Sequence, residues 1–166
     1  MRAFAYSGPG PATPRKGATL RISATHSLTE AARGIRTAVF VVEKDYRPEF
    51  DGWDDDPRTT HLLAFDGERP VGTCRLYPDP DHPDQPGRYV IARLAVLPDA
   101  QGRGFGSALL GRAEAIVAGE GGRIAAVHVE DKNFAFYERY GYATTDEMYD
   151  GGTHGWMTKP LDRRAD

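Results

Sequence analysis

The stretch from residue 88 to residue 107, RYVIARLAVLPDAQGRGFGS, constrains the fold of this chain more than any other. Its first part is an apolar run at residues 90–97, of the kind that forms a strand buried on both faces. After Pro98 comes the glycine-rich segment QGRGFG, followed by a segment whose apolar side chains recur at helical spacing. The sequence therefore predicts a strand, a glycine-rich turn and a helix in succession.

Such a unit is suited to binding a phosphate or pyrophosphate group. Glycines let the backbone approach a ligand closely, and the first amides of a helix are unpaired donors at the positive end of its dipole. A phosphate-loop NTPase would need a lysine after the glycines, and none follows here. A dinucleotide-binding fold would have its third glycine where Ser107 stands. A tight turn with no ligand is the simpler alternative.

Two motifs resemble the GNAT superfamily of N-acetyltransferases. The segment LAV, a short turn and QGRGFG are similar to the family's acetyl-CoA-binding motif, (Q/R)-x-x-G-x-(G/A), whose marked positions are Gln101, Gly104 and Gly106. The later segment FYERYGY, at residues 136–142, is similar to the family pattern F-Y-x-(K/R)-x-G-(F/Y). The resemblance is strong over residues 88–160 and weaker over residues 20–78.

The resemblance implies a fold and a co-substrate. The fold is mixed α/β, with a central, partly antiparallel twisted sheet flanked by helices, the acyl-CoA N-acyltransferase fold. The co-substrate is acetyl-CoA, with no metal. Its pantetheine arm would lie along one strand and its pyrophosphate on the turn, and the residues implied to bind it are Leu94, Ala95, Val96, Gln101, Gly102, Arg103, Gly104, Phe105, Gly106, Ser107 and Asn133.

The order of predicted elements agrees with one domain. A chain of 166 residues is long enough for a single core, here over residues 19–162, after a flexible glycine- and proline-rich tail at residues 1–18. Apolar alternation and turn signals predict the order βαβββαβαββ. The strands fall at residues 19–25, 60–66, 70–77, 90–97, 123–129, 143–149 and 154–159.

The first predicted helix carries a second resemblance. Ser27 and Glu30 match a capping box, and we expect a buried stripe along the helix, made of Leu28, Ala32, Ile35, Val39 and Val42. The segment RTAVFVVE resembles a small bacterial branch of the GNAT superfamily with a V-F-V-x-E helix, and also the front half of acyl-homoserine-lactone synthases. Beside the stripe runs a row that forms either an intrahelical support or part of an acceptor-site wall: Arg36, Phe40 and Glu43.

The loop after this helix, residues 44–58, is rich in acids. Charge runs usually form solvated surface. However, Tyr46, Phe50 and Trp53 are interleaved with the acids, and the family's acceptor cleft is covered by this region. An acidic, aromatic rim would attract a cationic amine.

The catalytic assignments follow from the resemblance. Tyr137 occupies the position of the family's general acid, which protonates the departing thiolate. Many relatives carry a base on the central strand, but the positions here are Val90 and Ala92, which cannot accept a proton. The remaining candidates for the base are Glu43, His61, His128 and Glu130.

Glu130 and Arg93 complete the set of candidate site residues. Many relatives have a cofactor-binding asparagine where Glu130 stands. Either Asn133 makes this contact instead, or the contact is lost. Arg93 is expected to pair with an acid of the loop at residues 51–56.

The composition limits the classes of partner, the disulfides and the cellular location that can be expected. The net charge of −3 gives no reason to expect nucleic acid. The single cysteine, Cys74, excludes an internal disulfide and is expected to be a buried apolar residue. No segment has membrane-spanning length, and no signal-peptide pattern opens the chain, so a cytoplasmic location is the default expectation. A homodimer is compatible with the resemblance.

The sequence thus predicts an N-acetyltransferase that moves acetyl from acetyl-CoA to a primary amine by direct transfer in a ternary complex. The acceptor is a small molecule or peptide, with a small cationic amine preferred. Two alternatives stay open: an enzyme like the acyl-homoserine-lactone synthases, and a non-catalytic CoA-binding regulatory module.

Overall fold

The computed structural model of the chain describes residues 20–42 and 49–162. The predicted element order is confirmed, and the tail at residues 1–18, like Glu43, lies outside the described residues. The strands are β1 (Leu20–Thr25), β2 (Thr60–Asp66), β3 (Arg69–Pro78), β4 (Arg88–Val96), β5 (Ile124–Glu130), β6 (Ala143–Tyr149) and β7 (His154–Pro160). The helices are α1 (Glu30–Arg36), which continues as a π-helix (Thr37–Val42), α2 (Phe105–Gly119) and α3 (Phe134–Arg139).

The strands form one sheet in the order β1-β2-β3-β4-β5-β7-β6, antiparallel except between β4 and β5. That parallel ladder joins only Arg88–Val90 of β4 to residues 124–126 of β5. In the described part of the chain no later residue of β4 pairs with β5, whereas β5 pairs with β7 along its full length. The carboxyl-terminal halves of β4 and β5 therefore part.

Each face of the sheet has its own core. On one face, α2 and α3 pack on residues of β4 and β5 that include Ile91, Leu94 and Val127. On the other face, α1 buries Ala32, Ile35 and Val39 against the sheet. The gap between β4 and β5 opens through the sheet. Residues from both faces of the sheet therefore border the site.

The first helix corrects two predictions. The helix begins at Glu30, not at Ser27, because Thr29 is the N-cap and its hydroxyl accepts a hydrogen bond from the amide of Ala32 at 3.2 Å. The predicted burial of Val42 is wrong, since this residue is 79% exposed. The π-helical turn holds more residues than an α-helical turn, so the residues after Thr37 rotate and Val42 leaves the buried stripe.

Candidate active site

The turn between β4 and α2 presents backbone amides at the start of a long helix. Gly102 has φ +75° and Gly104 has φ +90°, a left-handed conformation that glycine adopts without a Cβ penalty. Gly104 is the N-cap of α2, and no side chain of the described residues caps the helix. The first intrahelical bond runs from the amide of Ala108 to the carbonyl of Gly104 at 3.0 Å. The three amides before Ala108 are therefore donors without a helical partner, as phosphate binding requires.

The side chains of the turn bind the protein's own groups. Gln101 donates from Nε2 to the carbonyl of Val96 at 3.0 Å, and Ser107 donates from Oγ to the carbonyl of Gly104 at 3.0 Å. Arg103 donates from Nη1 to Asp66 Oδ2 at 2.7 Å, with its side chain about one-third exposed. These contacts fix the conformation of the turn and occupy its polar side chains. The main-chain amides of the turn are therefore the donors that we consider for a ligand.

The strand that leads into the turn contains a bulge beside the parting of β4 and β5. Arg75 pairs with Ala92 and Thr73 with Ala95, so two residues of β4 stand opposite one residue of β3. Within the bulge Arg93 has φ +55°, a strained conformation for a residue with a Cβ. Beyond Val90 the main chain of β4 has no ladder partner on the β5 side among the described residues, so its polar groups can bind an extended arm.

Tyr137 and Asn133 stand on the other side of this opening, at the end of β5 and in α3. Tyr137 is 1% exposed, and its ring packs edge-on against Phe136 and Tyr142. Burial raises the pKa of its hydroxyl above the usual value, so the group keeps its proton at neutral pH. Asn133 is 3% exposed, and its Nδ2 has no hydrogen-bond partner in the part of the chain that the structure describes. A buried donor without a partner fits a bound acyl-CoA arm.

A buried ionic network fixes the acidic loop against the sheet. Arg36 donates from Nε to Glu49 Oε1 at 2.9 Å and from Nη1 to Asp54 Oδ1 at 2.6 Å. Arg75 donates from Nη1 to Asp54 Oδ1 at 2.8 Å and to Asp51 Oδ1 at 2.7 Å. Glu49 and Asp54 are buried, so at these two positions the expectation of solvated surface is wrong. Among the described residues, Arg36 binds acids of the loop, whereas the expected row with Glu43 lies partly outside the described residues.

The network shifts the pKa values of its carboxyl groups in opposite directions. Burial opposes ionisation of Asp54, but the hydrogen bond from Arg36 and the charge of Arg75 outweigh it and lower its pKa to about 2. Burial dominates at Glu49 and raises its pKa despite the nearby guanidinium of Arg93, whose Nε lies 3.1 Å from Glu49 Oε1. Arg93 Nη2 also lies 3.6 Å from Asp51 Oδ2, so the expectation that Arg93 pairs with a loop acid is confirmed.

The described candidates for the general base differ in their burial and in their contacts. His61 is 2% exposed, its Nε2 lies 3.1 Å from the carbonyl of Asp54, and burial lowers its pKa. Glu130 forms an ion pair with Lys132 at 3.0 Å. His128 is half-buried on the face of β5 opposite Val127 and Val129, which lie in the core.

His128 is surrounded by aromatic rings, an arrangement that the sequence did not predict. The ring centroid of His128 lies 5.2 Å from those of His154 and Trp156 and 6.1 Å from that of Tyr149. The alternation of His154 and Trp156 along one strand was the available signal, but it does not reveal which strand lies alongside. Among the described residues, no group of three or more potential metal ligands is found, and no helix could cross a membrane.

Comparison with known proteins identifies the family to which this chain is similar. The model of the acetyltransferase (GNAT) family matches residues 25–142. An N-acetyltransferase of Bacillus subtilis (strain 168), YjcF, which is itself uncharacterized, is 25% identical over 113 residues, covering 68% of this chain and 76% of the relative.

Two solved structures extend the comparison. An acyl-CoA N-acyltransferase from Pseudomonas aeruginosa is 30% identical with a TM-score of 0.68, over 85% of this chain and 99% of that chain. The CoA-dependent acyl-homoserine lactone synthase BjaI, solved with SAM and isopentyl-CoA, has a TM-score of 0.71 at 21% identity, over 88% of this chain and 85% of that chain. The second likeness is one of fold alone.

Proposed function

Because this chain belongs to the acetyltransferase (GNAT) family of acyltransferases, we propose that it transfers the acetyl group of acetyl-CoA to a primary amine. The observation that carries the proposal is the uncapped start of α2 behind Gly104, beside the parting of β4 and β5. Helix amides without a helical partner suit a pyrophosphate, and the edge of β4 beyond its ladder to β5 suits the pantetheine arm. The buried Nδ2 of Asn133 supplies a further donor.

The proposed chemistry is direct transfer within a ternary complex. The amine nitrogen attacks the thioester carbonyl carbon, the new C–N bond forms and the C–S bond breaks. A main-chain amide of β4 polarises the carbonyl, and Tyr137 donates its proton to the departing thiolate. A covalent enzyme intermediate on Cys74 is disfavoured, because this thiol is 1% exposed and burial raises its pKa to about 12.

The proposed acceptor is a small cationic amine, a free small molecule or a peptide side chain. Aromatic rings lie on the α1 side of the sheet, where Trp53 is stacked on Tyr77 at 4.0 Å and Trp156 packs against the same cluster. Exposed or half-exposed carboxylates rim this side, among them Asp51, Glu147 and Asp150. Rings and carboxylates together favour a cation over an anion.

Lactone synthesis is a second candidate, favoured by one observation. Arg36, from the segment that carries that resemblance, meets the loop acid Asp54 and Arg75 in one buried network. The network is satisfied internally, which favours a role in positioning the loop. Binding of S-adenosylmethionine at micromolar concentration would favour lactone synthesis, and its absence would favour transfer to an amine.

The test begins with calorimetric titration of the full chain with acetyl-CoA, with NADH as the control. We expect acetyl-CoA to bind with a micromolar Kd and NADH not to bind. An amine panel, cationic members first, is then screened by release of the CoA thiol. Binding without turnover of any amine would indicate a non-catalytic CoA-binding module, and no binding of acetyl-CoA would overturn the proposed function.

A further inference from the structure

The central strand offers no proton acceptor where many members of the superfamily have one, but the neighbouring strand does. Val90 and Ala92 of β4 pack with Tyr77 and Trp156 on the α1 side of the sheet. His128 of β5 lies on the same side, since its ring packs against Trp156. Ala126 is the last residue of β5 that pairs with β4, so His128 is the first residue of that face beyond the ladder. The imidazole therefore stands where the two strands part.

His128 is the first member of a chain of three titratable groups. Its Nε2 lies 3.5 Å from Nδ1 of His154, a long contact for a hydrogen bond. His154 Nε2 in turn lies 2.8 Å from Asp150 Oδ2. The Asp150 side chain is 81% exposed and that of His154 is 32% exposed, whereas His128 is half-buried. The chain thus runs from the parting of the strands to solvent.

We propose that His128, His154 and Asp150 form a proton relay that takes the proton of the acceptor ammonium group during acetyl transfer. This inference rests on the proposed function. His128 is the base that meets the acceptor, and His154 and Asp150 act through it as positioning residues.

The hydrogen bonds determine the tautomers that the relay needs. A carboxylate only accepts, so His154 must carry a proton on Nε2 when it binds Asp150. Neutral His154 then has its lone pair on Nδ1 and accepts from His128 Nε2–H. The lone pair of neutral His128 consequently lies on Nδ1, which becomes the proton-accepting nitrogen.

The transfer balances in protons. The acceptor ammonium gives one proton to His128 Nδ1, and the Nε2 proton of His128 passes to His154 Nδ1. His154 is then an imidazolium paired with Asp150, from which the proton leaves to water. The amine attacks the thioester, Tyr137 donates its proton to the departing thiolate, and the second nitrogen proton returns through solvent to the Tyr137 phenolate. The net products are an amide, the CoA thiol and one proton.

Among the described residues, a further charged pair and a further aromatic ring lie beside the relay. Glu130 lies opposite His154 in the β5–β7 register, and its carboxylate is paired with Lys132 at 3.0 Å. Tyr149 contacts both imidazoles, with ring centroids 5.5 Å from His154 and 6.1 Å from His128. Asp150 is the carboxylate in direct hydrogen-bond contact with His154, so it is the group whose removal should disturb both rings.

The first test follows the histidine side chains by long-range ¹H–¹⁵N correlation across a pH titration of the full chain. We expect neutral His128 and His154 both to be Nε2–H tautomers. Asp150→Asn should change the imidazole ¹⁵N chemical shifts of His154 and also those of His128, which Asp150 does not touch, while those of His26 stay unchanged. A neutral Nδ1–H tautomer of His128, or ¹⁵N shifts of His128 that Asp150→Asn leaves unchanged, would overturn the relay.

The second test is kinetic, with the fastest amine of the screen and with His26→Gln as the matched control. We expect His128→Gln to lower kcat/KM by about 100-fold at neutral pH, within the range of general-base catalysis, with an unchanged Kd for acetyl-CoA. Asp150→Asn, a change at an exposed side chain, should shift the acidic limb of the pH profile. Equal activity of His128→Gln and His26→Gln would overturn the relay alone. Failure of the unmodified protein to acetylate any amine would overturn the proposed function, and the catalytic role of the relay with it.

Discussion

Arg36 and Asp54 form a two-point ion pair in the interior, with Nη1 2.6 Å from Oδ1 and Nη2 3.2 Å from Oδ2. The two side chains are 1% and 4% exposed. Asp54 also accepts from Arg75 at 2.8 Å, so one carboxylate joins the first helix, the loop and β3. A buried pair of this kind need not add much net stability, but removal of one partner leaves the other charge uncompensated.

We therefore expect Asp54→Asn to destabilise the protein by about 3 kcal/mol at neutral pH, because it leaves Arg36 and Arg75 short of a counter-charge. Urea unfolding measures the effect. Asp55→Asn is the control, since Asp55 is the adjacent residue and is exposed. A loss of stability as small in Asp54→Asn as in the control would contradict the assignment of the network as the anchor of the loop.

The lowered pKa of Asp54 predicts that the protein loses stability in acid. Its pKa is lowered to about 2 in the folded protein, below its usual value of 3.8. A group with a depressed folded pKa stabilises above the unfolded value, and this contribution disappears as the pH falls through the folded value. We expect about 2 kcal/mol of the unfolding free energy to disappear between pH 4 and pH 2, and Asp54→Asn to lack that component. An identical acid profile for the variant and the unmodified protein would refute this assignment.

Gly104 and Gly111 allow a matched test of the turn. Gly104, at φ +90°, precedes the donor amides, whereas Gly111 lies inside α2 and a Cβ there meets no atom within 4 Å. Gly104→Asp should weaken acetyl-CoA binding by about tenfold or more, through strain and a carboxylate beside the pyrophosphate site. Gly111→Ala should leave the Kd unchanged and stabilise the helix by up to about 1 kcal/mol. Calorimetry and thermal unfolding of both variants decide the point, and equal binding by both would remove the turn from the donor site.

The sequence predicted the elements of this fold because its signals there are local. One continuous stretch around Gly104 contains a strand that is apolar on both faces, a glycine-rich turn and a segment with apolar residues at helical spacing. The π-helical turn at Thr37–Val42 escaped prediction because the same apolar residues fit an α-helix, and no residue type specifies the extra residue. The displacement of Val42 follows from that local change.

The network and the histidine chain escaped prediction for a different reason. Arg36 and Asp54 are distant in sequence, and an acid run is more often surface, so only the fold reveals their pairing. The sequence placed His128 on a strand and among the candidates for the general base. It could not place His154 beside it, because β7 follows β6 in the chain yet lies between β5 and β6 in the sheet.

Tyr137 provides a test of the acid step. Tyr137→Phe removes the hydroxyl and keeps the packing against Phe136 and Tyr142, so the unfolding free energy should change little. We expect kcat to fall by about 100-fold while the Kd for acetyl-CoA stays the same, because the thiolate leaves without a proton. The control is Tyr140→Phe in the same aromatic cluster, measured by thiol release with the same amine. Equal kcat values for the two variants would show that Tyr137 serves packing alone.

His82 joins the loop before β4 to the last hairpin through two carboxylates. Its Nδ1 lies 2.7 Å from Asp79 Oδ2 and its Nε2 lies 2.9 Å from Glu147 Oε1, so both nitrogens donate when the ring is charged. Burial alone would lower the pKa of His82, but its hydrogen bond to Glu147 and the charge of Asp79 outweigh burial and the opposing charge of Arg88. The net pKa is raised above 6.5.

A raised folded pKa makes His82 a stabilising group in its charged form. The contribution is complete below the unfolded value of about 6.5 and disappears as the pH rises through the folded value. We expect the unfolding free energy from urea titrations to fall between pH 6 and pH 9 in the unmodified protein, and His82→Gln to flatten this slope. His26→Gln, which changes a ring bound to the carbonyl of Thr59, should keep the slope. If His82→Gln keeps the slope as well, then the imidazolium of His82 does not connect the loop to β6, and the pH dependence must arise from another group.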